Sequence, residues 1–226
     1  AQTLGYTVVD ASTALATHLS QILQDHAHEL LGREEVQQLL DNLSQSAPKL
    51  VEDLVPNTLS LGTVLKVLQN LLAERIAIRD MRTIAESLAD AGAVSQDPAM
   101  LTAAVRVAMS RSIVQQINGL EAELPVITLD PSLEQMLHQT VQMKEGNGAG
   151  LEPGLAERIH QSLSDAAQRQ EMAGNPAVLL VPEPLRPMLA RFVRRTIPNM
   201  HVLSFSEVPD NKQVKVVSIV GQQGAQ

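Results

Sequence analysis

The sequence predicts a multidomain protein of α and α/β class, an all-helical subdomain followed by a small α/β subdomain with a mixed sheet. Two observations carry this reading. From Asp10 to Gly119 apolar residues return every three or four positions with few β-branched clusters, which is the period of amphipathic helices. After Gly119 the texture changes to short β-rich runs alternating with helical ones. A length of 226 residues accommodates two such parts.

Each element follows from local signals. Leu15, Leu19, Ile22 and Leu23, then Leu30, mark one face of a helix that Asp10 or Ser12 caps and Gly32 ends. Val36, Leu39, Leu40 and Leu43 mark the next. Residues 48–56 read as a short helix between Pro48 and Pro56, with Pro48 suited to a first turn. Ser60 opens the strongest apolar stripe, through Leu61, Val64, Leu65, Leu68, Leu71 and Leu72. Another helix spans 78–91 through Met81, Ile84 and Leu88, and Asp97-Pro98 joins an N-cap to an N1 proline before a helix running toward Ile117.

In the second part, residues 125–129 read as a strand, and Asp130-Pro131 caps a helix to about Met143. The Gly-rich stretch Gly146-Asn147-Gly148-Ala149-Gly150 leads to a helix over 153–173 closed by Gly174. The continuous apolar run 177–181 is a buried strand, 184–195 is helical, and 201–208 and 214–220 are extended, with Asp210-Asn211 turning between them. The order β-α-α-β-α-β-β predicts the mixed sheet. Within it, 178–181, the helix bearing Phe192 and 201–205 form a βαβ unit with a parallel crossover.

Composition excludes several chemistries. One Tyr, two Phe and no Trp leave no ring platforms for stacking on bases or sugars. Lys plus Arg number 17 against 25 Asp plus Glu, a net charge of −8, so nucleic acid is not an expected partner. The acidity lies in the first half, with 8 basic to 14 acidic residues before Ala122 against 9 to 11 from there on. The absence of Cys removes disulfides, thiolate metal sites and Cys nucleophiles. The Gly-rich stretch lacks the Lys-Ser/Thr of a phosphate loop and follows a helix, so it reads as an interhelical loop. Among the His residues only His26 and His28 are close, and an i,i+2 pair points to different sides of a helix, so neither a metal nor another cofactor is expected. No Gly-x-Ser-x-Gly elbow or distinctive carboxylate pair is present, and no catalytic residue is predicted. Arg186, Arg191, Arg194 and Arg195 make one helix basic, with Arg191 and Arg195 sharing a face. That face is a candidate surface for an anion or acidic partner, and it equally complements the helix dipole. No apolar run approaches the roughly 18 residues of a membrane helix. The chain is expected to be soluble and, beginning at Ala1, to be a fragment.

Three stretches carry a more specific signature: Gly5-Tyr6-Thr7-Val8-Val9-Asp10-Ala11-Ser12-Thr13, Leu68-Gln69-Asn70-Leu71-Leu72-Ala73-Glu74 and Ile78-Arg79-Asp80-Met81-Arg82-Thr83-Ile84. They resemble the flagellar branch of the type III secretion export-gate family. So do Leu151-Glu152-Pro153-Gly154-Leu155 and Leu185-Arg186-Pro187-Met188-Leu189-Ala190-Arg191-Phe192-Val193-Arg194-Arg195. Virulence injectisome gates share the architecture and are the first alternative; a cytosolic anion-binding protein using the basic helix is the second.

The resemblance implies the C-terminal part of a cytoplasmic domain. Residues 1–30 would complete a thioredoxin-like first subdomain, 31–111 form the helical ring-forming subdomain, 112–220 the α/β C-terminal subdomain and 221–226 a flexible tail. It further implies a homononameric ring beneath the export pore, at the cytoplasmic face of the bacterial inner membrane. That ring would dock flagellar chaperones with bound substrates, and other export-apparatus components, without catalysis or cofactors. Membrane contact would come only through a region outside this chain. The resemblance places Val9, Ala14 and Thr17 on part of the wall of a chaperone-binding dimple, with Ala14 where a larger Val is expected. An ordinary core position is the alternative for all three.

Overall fold

The computed structural model describes residues 10–144, 152–197 and 199–221. Val9, the Gly-rich stretch and the tail after Gly221 lie outside the described residues. The chain forms two compact units, residues 1–105 and 106–226.

The first unit begins with helix α1 (Ala11–Asp25), where the Asp10 carboxylate accepts the Thr13 N–H at 2.8 Å as an N-cap. The predicted single helix to Gly32 is broken at His26, and α2 (Ala27–Leu30) follows. In α3 (Arg33–Ser44), Glu35 reaches back to accept the Gly32 N–H at 2.9 Å. The proline-bounded segment forms α4 (Pro48–Glu52) and a wide turn, Asp53–Thr58, in which Val55 leaves helical geometry ahead of Pro56. Ser60 and Asp80 cap α5 (Leu61–Ala73) and α6 (Met81–Gly92) through the N–H groups of Thr63 and Thr83. Asp97 accepts the Ala99 N–H at the start of α7 (Pro98–Ala108). The apolar stripes of α3, α5 and α6 meet in a core of Val36, Leu40, Leu54, Val64, Leu68, Leu71, Ile84 and Leu88. Each such Leu, fully buried, stabilises the unit by about 1.5–3 kcal/mol before entropy is charged. Helix α2 packs on α5, and the Gln69 amide donates to the Leu31 carbonyl at 3.0 Å.

The helix expected to run to Ile117 breaks at Met109, giving α8 (Ser110–Asn118). Among the described residues four strands follow: β1 (Glu123–Leu129), β2 (Ala177–Val181), β3 (Met200–Ser204) and β4 (Gln213–Val220). Between β1 and β2 run α9 (Pro131–Lys144) and α10 (Pro153–Met172), the latter closed by Gly174 at φ 75°. Between β2 and β3 runs α11 (Arg186–Thr196). The sheet order is β3-β2-β1-β4 and every pairing is parallel, which corrects the mixed sheet expected from sequence. The turn at Asp210-Asn211 does not fold β4 back onto β3. Residues Phe205–Glu207 make a 3-10 turn, and the chain then crosses to the far edge, where β4 pairs with β1.

One face of the sheet, through Ile127, Leu179, Val181 and Val202, buries Leu133 and Leu137 of α9, Ile159 and Leu163 of α10, and Leu189 and Val193 of α11. The alternate residues Leu124, Val126, Val178, Leu180 and Leu203 are buried too, so β1, β2 and β3 read as near-continuous apolar runs. A register slip between Val126 and Ile127 leaves Val217 unpaired in β4.

Candidate functional site

Helix α1 is left uncovered by the described residues. None of its residues is buried and all but Asp25 are exposed, although Leu15, Leu19, Ile22 and Leu23 repeat at helical spacing, and Leu15 is 69% and Leu19 54% accessible. Two predicted wall residues, Ala14 and Thr17, lie on this helix and are exposed. The Thr17 hydroxyl donates to the Thr13 carbonyl at 2.8 Å, which leaves its methyl group as the outward feature. The Thr13 N–H, and then the Thr13 hydroxyl, donate to the Asp10 carboxylate and hold it below its ordinary range.

The C-terminal end of α1 is a charged joint. Asp25 accepts from Arg75 at 2.5 Å and from the Gln21 amide, and these bonds, that of Gln21 foremost, depress its carboxyl pKa. His26 Nδ1 lies 3.0 Å and His28 Nε2 3.8 Å from the same Glu29 oxygen. The i,i+2 argument that separated these histidines does not apply, because the helix breaks at His26. Among the described residues no group of three or more His, Asp or Glu is placed to hold a metal ion.

The basic helix is only in part a surface. Arg191, Arg194 and Arg195 are exposed on α11, but Arg186 is buried. Its Nε lies 3.6 Å from Glu207 and 3.4 Å from the Val202 carbonyl, and burial pushes its pKa down. Arg106 binds the same carboxylate through two bonds, Nε at 2.7 Å and Nη2 at 2.6 Å, and also donates to Val202. The Ser204 N–H donates to Glu207 at 3.3 Å. Arg186 is thereby withdrawn from the predicted anion surface and becomes a structural charge. Sequence reasoning missed Arg106 and Glu207; the available signal was the Ser-x-x-Glu spacing of Ser204 and Glu207, a capping box.

Among the described residues no helix is long and apolar enough to cross a membrane. The model of the FHIPEP family matches residues 1–213. Over 221 residues the chain is 52% identical to the flagellar biosynthesis protein FlhA of Yersinia enterocolitica, covering 98% of this chain and 31% of the relative. The chain thus spans about a third of the length of the curated relatives it matches. Among solved structures, nonameric EPEC SctV-C superposes with a TM-score of 0.80 at 27% identity, covering 92% of this chain and 62% of the other. A Chlamydia pneumoniae CdsV chain, from a complex with CdsO, gives a TM-score of 0.86 at 23% identity over 97% of this chain and 65% of the other, a likeness of fold.

Proposed function

The chain belongs to the FHIPEP family, and from that premise we propose that it is part of the cytoplasmic docking platform of a flagellar type III protein export gate. In this reading it is non-enzymatic, assembles as a nonameric ring beneath the export pore and receives chaperones with their bound substrates. The subdomain division at 1–30, 31–111 and 112–220 belongs to the same proposal, as does a membrane region elsewhere in the polypeptide. The observation that carries it is the 52% identity to FlhA over 98% of this chain; Ala14 and Thr17 lie on α1, uncovered by the described residues. A helix face of small and aliphatic groups suits a shape-matched apolar partner better than a charged ligand. The identity to a flagellar relative, against 27% to SctV-C, supports the flagellar branch over the injectisome. The burial of Arg186 weighs against an anion-binding role for α11.

Titration calorimetry of the purified chain with flagellar chaperone–substrate complexes, and with the chaperones alone, tests the docking role. Saturable binding that weakens on Leu19→Asp is expected, and absence of binding to every complex would overturn it. Sedimentation velocity over a concentration series tests assembly, with species larger than a dimer expected.

A further inference from the structure

Strand β3 lies at one edge of the sheet, with β2 on one side and, among the described residues, no strand on the other. A parallel strand added there would set one residue opposite Leu203, its N–H donating to the Val202 carbonyl and its carbonyl accepting the Ser204 N–H. Side chains already engage both groups. Glu207 accepts the Ser204 N–H at 3.3 Å, while Nη2 of Arg106 and Nε of Arg186 donate to the Val202 carbonyl at 3.3 and 3.4 Å. Backbone groups two residues apart on a strand point to the same edge, so these bonds fall together where a fifth strand would pair. The same Nη2 of Arg106 also donates to Glu207 Oε2 at 2.6 Å. Guanidinium and carboxylate, joined to one another, thus present a donor to the carbonyl and an acceptor to the N–H, as the peptide groups of a neighbouring strand do.

The three side chains come from separate elements, the last turn of α7, the start of α11 and the 3-10 turn after β3, and all three are buried. Apolar side chains of the same volume would fill this space at similar stability, but they would leave the Val202 and Ser204 groups without these partners. Unpaired groups along a strand edge are a template for pairing with another chain. We propose that the Arg106–Glu207–Arg186 cluster stands in for one residue of a fifth strand and closes the β3 edge to pairing with a second copy of this chain. This inference stands apart from the docking reading above.

Two measurements on the intact chain test it. In the native protein the Ser204 amide should exchange roughly tenfold or more slowly than a solvated amide, the protection of a hydrogen bond to a charged acceptor. Replacing the cluster by apolar groups, with Arg106→Met, Arg186→Met and Glu207→Met together, should keep the fold and free the edge. That variant should bind thioflavin T, which reports stacked strands, increasingly with protein concentration, and the native chain should not. Adding Ser204→Pro removes the N–H at a φ of −87°, near that of proline, and should abolish the dye signal. A folded triple variant that stays silent to the dye at every concentration overturns the proposal, and so does a signal that persists with Ser204→Pro. Should the triple variant fail to fold, the native Ser204 amide decides: exchange at the rate of a solvated amide overturns the closed edge, and protection upholds it.

Discussion

Replacing Glu207 by Gln should cost the α/β unit more than any single change to its surface. The carboxylate is 1% exposed and faces Arg106 and Arg186, which are 2% and 5% exposed. Gln keeps the side-chain volume and one carbonyl oxygen, so neither a cavity nor overpacking enters, and the change isolates the charge. Two unit charges about 4 Å apart attract by about 4 kcal/mol at an effective dielectric of about 20. The desolvation already incurred by the two guanidinium groups stays behind when the carboxylate charge goes. Breaking such a buried pair by removing one partner costs about 3–5 kcal/mol. With a urea slope of about 2 kcal/mol/M, that is a midpoint lowered by roughly 1.5–2.5 M. Amide exchange of β2 and β3 measured across a urea series follows this unit separately from the helical one. A midpoint lowered by less than about 0.5 M, or about 1 kcal/mol, would show that water or other donors already screen the cluster, and the reasoning would fail.

The remaining predictions concern the helical unit. At Gly92 an added Cβ would lie 2.7 Å from Thr58 Cγ2 and 3.0 Å from Leu59 Cγ, so Gly92→Ala should destabilise by about 1–3 kcal/mol, read from the thermal midpoint. The Thr83 hydroxyl and N–H hold the Asp80 carboxyl below its ordinary range. A folded pKa below the unfolded one contributes stability above about pH 4 that is lost as pH falls through the folded value. Asp80→Asn should therefore flatten the acid limb of the midpoint-against-pH curve, and a limb parallel to the native one would exclude the assignment. Because Thr17 is exposed, Thr17→Met should change stability by less than about 0.5 kcal/mol while weakening chaperone docking; a lowered midpoint with native affinity would remove Thr17 from the site.

Local chemistry was legible wherever a short-range signal decides the outcome. Asp10, Ser60 and Asp97 each accept an N–H at the start of a helix, because capping depends on a side chain reaching two or three residues along its own chain. The strand 177–181 was equally readable, since a run of five buried apolar residues needs cover on both faces. Strand β4 was readable as a strand and misread in its pairing. The turn at Asp210-Asn211 reports that the chain changes direction there; it carries nothing about which edge the next strand joins. That choice is made by long-range packing, visible in Asp130, whose N–H bonds the Val220 carbonyl at 2.7 Å.

Periodicity has a similar blind spot at the candidate site. Leu15, Leu19, Ile22 and Leu23 repeat on α1 as Val64, Leu68 and Leu71 do on α5; the second set is buried within the unit and the first is left uncovered by the described residues. A helical period says that one face is apolar and is silent about what covers it. The converse holds for charge: Arg186 stood in a basic run that predicted a surface, and a glutamate 21 positions later in the sequence drew it inside. What separates the two cases locally is violation of a rule with a visible compensation. Arg75 takes a glycine conformation and gains an ion pair to the end of α1.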